Sequence, residues 1–126
     1  MDRKICLDSD VIIQFLRNDR RVISEISSLD AIFYCTSINV FEIWYGKKKI
    51  ELMPEFINKL HIIDFDKSCA IKAAEIALKL RENGEMMEYR DAFIAAICIV
   101  YDVELLTHNF KHFERLKKFG LKLVDF

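Results

Sequence analysis

Four polar residues stand at comparable points of this 126-residue chain: Asp8, Glu42, Asp91 and Asn109. Asp8 closes the apolar run Ile5-Cys6-Leu7 and is followed, one residue on, by Asp10. Glu42 lies inside the apolar stretch Val40-Phe41-Glu42-Ile43-Trp44-Tyr45, Asp91 heads a long apolar run, and Asn109 follows Leu105-Leu106-Thr107-His108. Each has a plain structural role available. Asp8, Asp10 and Asp91 are helix-capping types, and Glu42, three residues after Asn39, fits a capping box. Separate caps explain the set poorly, because all four can point into one crevice. Three carboxylates brought together repel unless a cation sits between them. Oxygen donors without a neighbouring thiolate or imidazole suit Mg²⁺ or Mn²⁺, and such an ion acidifies a water and offsets charge on a phosphodiester oxygen.

Strands alternating with helices would bring these residues together. The residues 4–7 read as a buried strand entering a tight turn, followed by apolar residues at helical spacing over 10–29 with a break at Asn18-Asp19. A second strand is expected over 31–36, then a helix starting near Ser37 or Asn39 and ending at Gly46. A short helix over 55–60 and a brief strand at 62–63 precede a helix capped by Asp66 that ends near Asn83-Gly84. Residues 85–90 read as a loop delivering Asp91 to a helix that is apolar all round and therefore buried. A last strand at 104–107, a helix over 110–118 and a closing strand at 121–124 complete an α/β chain with a mostly parallel sheet of four or five strands, covered on both faces. In open sheets of this kind, ligands collect beyond the carboxyl ends of the strands, where Asp8 and Asn109 are expected.

The composition bounds the function. With 52% hydrophobic and 31% charged residues, only three glycines and one proline, residues 1–126 read as one packed domain. The formal charge of −1 does not suit binding of nucleic acid by bulk charge, although Lys47-Lys48-Lys49 and the set Lys111, Arg115, Lys117, Lys118 and Lys122 are local basic clusters. Cys6, Cys35, Cys69 and Cys98 are widely separated and lie in apolar surroundings, so they are expected as reduced core residues. No apolar stretch approaches the roughly 20 residues that span a bilayer, which leads us to expect a cytoplasmic protein with no membrane partner.

The ordered motifs resemble the PIN-domain ribonucleases, and within them the VapC toxins of type II toxin-antitoxin pairs. Leu7-Asp8-Ser9-Asp10-Val11 matches the opening strand and acid turn, and Ser37-Ile38-Asn39-Val40-Phe41-Glu42-Ile43-Trp44-Tyr45-Gly46 matches the segment carrying the second acid. Asp91-Ala92-Phe93-Ile94-Ala95-Ala96 matches the third acid's helix, and Leu106-Thr107-His108-Asn109-Phe110 the final turn, with Asn109 where many members carry Asp. The likeness covers essentially the whole chain. It implies a PIN-like three-layer α/β/α fold and hydrolysis of RNA phosphodiesters, of transfer or ribosomal RNA for instance. Asp8, Glu42 and Asp91 would be catalytic and hold Mg²⁺ or Mn²⁺; Asp10 and Asn109 would orient waters around the ion, and Ser37 would bond such a water or a phosphate, or else cap the Glu42 helix.

The resemblance also implies a cognate VapB-like antitoxin and a homodimer. Phe41, Trp44 and Tyr45, with Val11, Phe15 and Leu16, supply bulky apolar surface on which an antitoxin helix can lie and reach the acids with an arginine; the same aromatics can instead fill the core. Two other functions compete. Asp8-Ser9-Asp10 after a strand also resembles haloacid-dehalogenase-type phosphatases, a reading that leaves Glu42 unexplained. A non-catalytic PIN module binding RNA or protein is the other, against which the intact Asp8, Glu42 and Asp91 speak.

Overall fold

The structure, a computed structural model, describes residues 2–46 and 53–125. The Lys47-Lys48-Lys49 cluster lies outside the described residues. Strands β1 (Lys4–Leu7), β2 (Ile32–Thr36), β3 (His61–Ile63) and β4 (Glu104–Leu106) pair in parallel in the order β3-β2-β1-β4. The two-residue repeat of a strand sorts their side chains between two cores. Ile5 and Leu7 of β1 pack on one face with Val11, Ile12, Val22, Ile43 and Ile57, whereas Cys6 packs on the other with Ile76, Leu80, Ile94, Leu105 and Phe113. The first face is covered by α1 (Ser9–Leu16), α2 (Arg20–Ser27), α4 (Met53–Lys59) and the Ile43 side of α3 (Ser37–Tyr45). The second is covered by α5 (Lys67–Glu82), α6 (Tyr89–Val100), α7 (Phe110–Glu114) and a 3-10 turn, Arg115–Phe119. Three layers, α/β/α, result.

Local chemistry sets the boundaries. Asn18 adopts a left-handed conformation (φ 60°), and Asp19 then accepts the amides of Arg21 and Val22 at 3.0 and 3.3 Å, so the expected break at Asn18-Asp19 separates α1 from α2. The helix apolar on all sides is α6, with Ala92, Ile94, Ala95, Ala96, Ile97 and Cys98 buried. Its Ala92 and Ala96 meet Ala73 of α5, and these small side chains let the two helices approach closely. All four cysteines are free and buried; burial pushes the thiol of Cys35 up to about 11, which keeps it protonated at neutral pH. No described helix is long and apolar enough to cross a membrane.

Three expectations change. Residues 121–124 form a single parallel bridge, Leu105 to Leu123, and the sheet stops at four strands. The segment follows β4 only through the Leu105 amide on Lys122 (2.8 Å) and the Val124 amide on Leu105 (2.9 Å), since β4 itself is three residues long. The expected helix over 110–118 is α7 followed by the 3-10 turn, closed by left-handed Gly120 (φ 105°). Finally, α6 begins at Tyr89, so the loop after α5 ends at Glu88 and Arg90 is helical.

Position within the sheet matters most for function. From β1 the chain moves to β2 and β3 on one side, then crosses to β4 on the other. Beside β1 the order therefore reverses, which opens a crevice above the carboxyl ends of β1 and β4. Asp8 follows β1 directly and Thr107 follows β4 directly.

Candidate active site

Asp8 is the fixed point of the crevice. It is fully buried and caps α1, with Oδ1 accepting the Ser9 amide at 2.8 Å. The same oxygen accepts Asn39 Nδ2 at 3.1 Å and Arg90 Nη2 at 2.6 Å, while Oδ2 accepts the Thr107 hydroxyl at 2.8 Å. A buried carboxylate needs such donors to remain charged. Asn39 is also part of a capping box: Thr36 Oγ1 accepts its amide at 3.1 Å, and its own Oδ1 accepts the Thr36 amide at 3.0 Å. One asparagine therefore starts α3 and orients Asp8.

With α3 starting there, Glu42 lies one turn further along and faces Asp8. Its Oε1 accepts Ser9 Oγ at 2.7 Å, and Ser9 Oγ accepts Asn39 Nδ2 at 2.9 Å. Asp91, in the first turn of α6, is 5% exposed. The three acids meet around one guanidinium. Arg90 donates Nε to Glu42 Oε2 at 2.6 Å, Nη2 to Glu42 Oε1 at 2.9 Å and to Asp8 Oδ1 at 2.6 Å, and Nη1 to Asp91 Oδ1 at 2.9 Å. Burial works against the charge of Arg90, but the bonds to Glu42 and the charge of Asp8 outweigh it, and its pKa is raised above the ordinary guanidinium value. Three negative groups against one positive one leave the cluster anionic.

Comparisons with known proteins give this geometry its context. The PIN domain family model matches residues 5–119. The chain is 30% identical over 124 residues to Ribonuclease VapC1 of Methanocaldococcus jannaschii, covering 98% of this chain and 89% of that one. The chain belongs to the PIN-domain family, among the VapC ribonucleases. It is also 29% identical to the tRNA(fMet)-specific endonuclease VapC of Salmonella typhimurium, over 97% of each chain. Among solved structures, VapBC2 from Rickettsia felis bound to a DNA fragment from their promoter superposes with a TM-score of 0.82, at 25% identity and over 98% of each chain.

Within this PIN fold the expected site residues separate into two groups. Asp8, Glu42 and Asp91 share the crevice. Asp10 lies at its edge, where its Oδ1 accepts the Val11 amide at 2.7 Å and its Oδ2 the His108 amide at 3.2 Å, tying α1 to the turn after β4. Burial, and next the charge of Asp8, pushes its carboxyl above the ordinary value. Ser37 stands apart and does not cap α3, because Thr36 fills that position; its hydroxyl accepts the Phe65 amide at 3.0 Å. Asn109 is exposed, and its side chain makes no cap for α7; its backbone is what is engaged, the amide donating to Thr107 Oγ1 at 3.1 Å and the carbonyl accepting the His112 amide at 3.0 Å. Arg90, Asn39, Ser9 and Thr107 are the neighbours that the motif alone does not assign to the site.

The donor set fits a hard divalent cation, because carboxylate oxygens from three elements converge on a positive centre and outnumber its charge. Among the described residues, however, no three acidic, histidine or cysteine side chains are drawn close enough to hold an ion as they stand. The guanidinium of Arg90 lies against all three acids.

The apolar residues expected at a partner surface divide between surface and core. Phe41, Trp44 and Tyr45 are exposed, with the rings of Phe41 and Tyr45 stacked at 5.4 Å. Val11 is fully buried and belongs to the core, and Phe15 and Leu16 pack against that core.

Proposed function

We propose that this VapC-family chain is a metal-dependent endoribonuclease, the toxin of a toxin-antitoxin pair, with Asp8, Glu42 and Asp91 holding Mg²⁺ or Mn²⁺. The observation that carries the reading is the convergence of these three carboxylates, from α3, α6 and the turn after β1, at the topological switch of the sheet. A divalent ion held there supplies an acidified water and positive charge against the oxygens of the scissile phosphodiester. Asp8 is held by Asn39, Ser9 and Thr107, so its orientation is set before any ligand arrives. Asp10 and Asn109 flank the crevice on the β4 side, where they border the path of the strand.

An acidic crevice repels RNA, and the adjoining surface counters this. Lys111, His112 and Arg115 line a cleft of about 580 Å³ that includes Asp91. Arg115 is fixed there by donating Nη2 to the Met86 carbonyl at 2.8 Å. Phosphates next to the scissile one lie along this cleft, whose cations offset their charge. The exposed Phe41, Trp44 and Tyr45 offer an apolar face for a VapB-like antitoxin helix, a partner in keeping with the VapBC2 complex. The apolar cleft of about 660 Å³ between α5 and α6, lined by Ala70, Ala74, Leu78, Tyr89 and Phe93, suits a homodimer.

The site is tested with Asp8→Asn, Glu42→Gln and Asp91→Asn. Each lowers RNA cleavage by at least about a hundredfold while the protein stays folded, as loss of a group aimed at the developing charge should. Wild-type cleavage by all three variants, or loss only through unfolding, contradicts the assignment. Co-purification with the product of the neighbouring gene tests the partner: a stable complex should cleave more slowly than free protein.

A further inference from the structure

Among the described residues, Arg90 sits at the centre of the three acids, and the proposed chemistry does not use it. Its guanidinium spends three nitrogens on the three acids, and the partner residues come from positions 82 and 48 apart in the chain as well as from its neighbour Asp91. It does not cap α6, which has no side-chain capping bond at Glu88; Arg90 bonds side-chain carboxylates only, two of them outside the helix. The acids around it are three against its single charge, and as they stand no group of three among the described residues is placed to hold an ion. Asp8 Oδ1 already accepts three donors, one of them Arg90, so it has little capacity for a further ligand until that donor leaves. Arg90 can leave: its side chain is 24% exposed, and it sits in the first turn of α6 at the mouth of the crevice.

We propose that Arg90 is an exchangeable resident cation, a positioning residue that keeps Asp8, Glu42 and Asp91 gathered in the metal-free protein and is displaced from them when a divalent ion binds. The inference rests on the metal-dependent reading of the site. While it occupies the acids, the guanidinium offsets their mutual repulsion and competes with the ion for the same oxygens; a bound ion offsets the same repulsion itself, so the competition sets the sign of the effect on metal affinity. Metal affinity is then reduced by the fraction of time that the arginine occupies the acids; occupancy nine times in ten raises the apparent dissociation constant about tenfold. A residue that served only to support the fold would act in the opposite direction, since its removal would loosen the acids and weaken metal binding.

The test is Mn²⁺ binding to the full chain, followed by electron paramagnetic resonance of the free ion, for wild type, Arg90→Ala and Arg90→Lys. Arg90→Ala should bind Mn²⁺ about tenfold more tightly than wild type, with Arg90→Lys between them because a point charge lacks the fork that engages three acids. In wild type, the ¹⁵N–Hε resonance of Arg90 should move from a hydrogen-bonded to a solvent-like position as Mg²⁺ is added. The resonance keeps the proposal testable even if Arg90→Ala does not fold without metal. Binding of Mn²⁺ by Arg90→Ala no tighter than by wild type, or an Arg90 resonance unmoved at Mg²⁺ saturation, overturns the exchange and leaves the metal site itself standing. Failure of every form to bind Mn²⁺ or Mg²⁺ overturns both.

Discussion

Thr107 donates its hydroxyl to Asp8 Oδ2 across 2.8 Å, tying the end of β4 to the end of β1 beneath the acid crevice. Thr107 Oγ1 in turn accepts the Asn109 amide at 3.1 Å, so one hydroxyl also shapes the turn that leads into α7. Thr107→Val keeps the shape and removes both functions. The buried charge of Asp8 then lacks a donor, a loss of about 1–3 kcal/mol, and cleavage should fall by about ten- to a hundredfold, as for other groups that orient a ligand residue. Urea denaturation and RNA cleavage on the same samples check this, with Thr107→Ser expected to retain most of both. Unchanged stability in Thr107→Val would show that Asp8 does not depend on this bond.

The cleft beside Asp91 predicts a salt signature. Lys111 is exposed at its edge and makes no described salt bridge. Lys111→Ala should weaken RNA binding across sequences and lower the slope of log affinity against log salt by about 0.7–1, with little effect on unfolding. Measurement of KM at several salt concentrations separates this from a catalytic defect. A slope equal to that of wild type would place the strand elsewhere.

A second charge pair is purely structural and has a defined pH dependence. Arg3 makes a two-pronged contact with Glu104, Nε to Oε2 at 2.6 Å and Nη2 to Oε1 at 2.8 Å, joining β1 to β4 at the end opposite the crevice. The Arg3 bond holds the Glu104 carboxyl below its ordinary value of 4.5 despite some burial. A depressed acid contributes stability above its unfolded pKa, and the contribution disappears as pH falls through the folded one. Glu104→Gln should therefore lower the unfolding midpoint modestly at neutral pH, and the difference should close as pH falls below 4.5. The pair is partly exposed, so added salt should shrink the effect as well. A difference that persists in strong acid would mean that the glutamate acts through packing.

Much of this architecture was legible in residue order. The β1 run ending at Asp8, the break at Asn18-Asp19 and the all-apolar α6 each follow from patterns that one local rule explains. What the sequence leaves open are choices among equivalent signals. Thr36, Ser37 and Asn39 are all capping types, and only the tertiary position of Asn39, against Asp8, selects Thr36 as the cap and leaves Ser37 for Phe65. Arg90 is hidden for a related reason: Glu88 is an uncommon N-cap type and makes no capping bond, so Met86-Met87-Glu88-Tyr89-Arg90 carries no start signal. Its partners lie up to 82 residues away, a distance at which no local pattern speaks. The segment 121–124 alternates like a strand, yet its partner β4 is too short to give it more than one bridge.

The central claim is that the carboxylates of Asp8, Glu42 and Asp91 work through a divalent ion on RNA. The most direct measurement is RNA cleavage by the purified chain before and after excess EDTA, followed by addition of Mg²⁺ or Mn²⁺ beyond the chelator. Cleavage should stop with EDTA and return with either ion in wild type, and should not return in Glu42→Gln, because the attacking water depends on the ion. Cleavage that continues at the same rate in excess chelator would contradict the account.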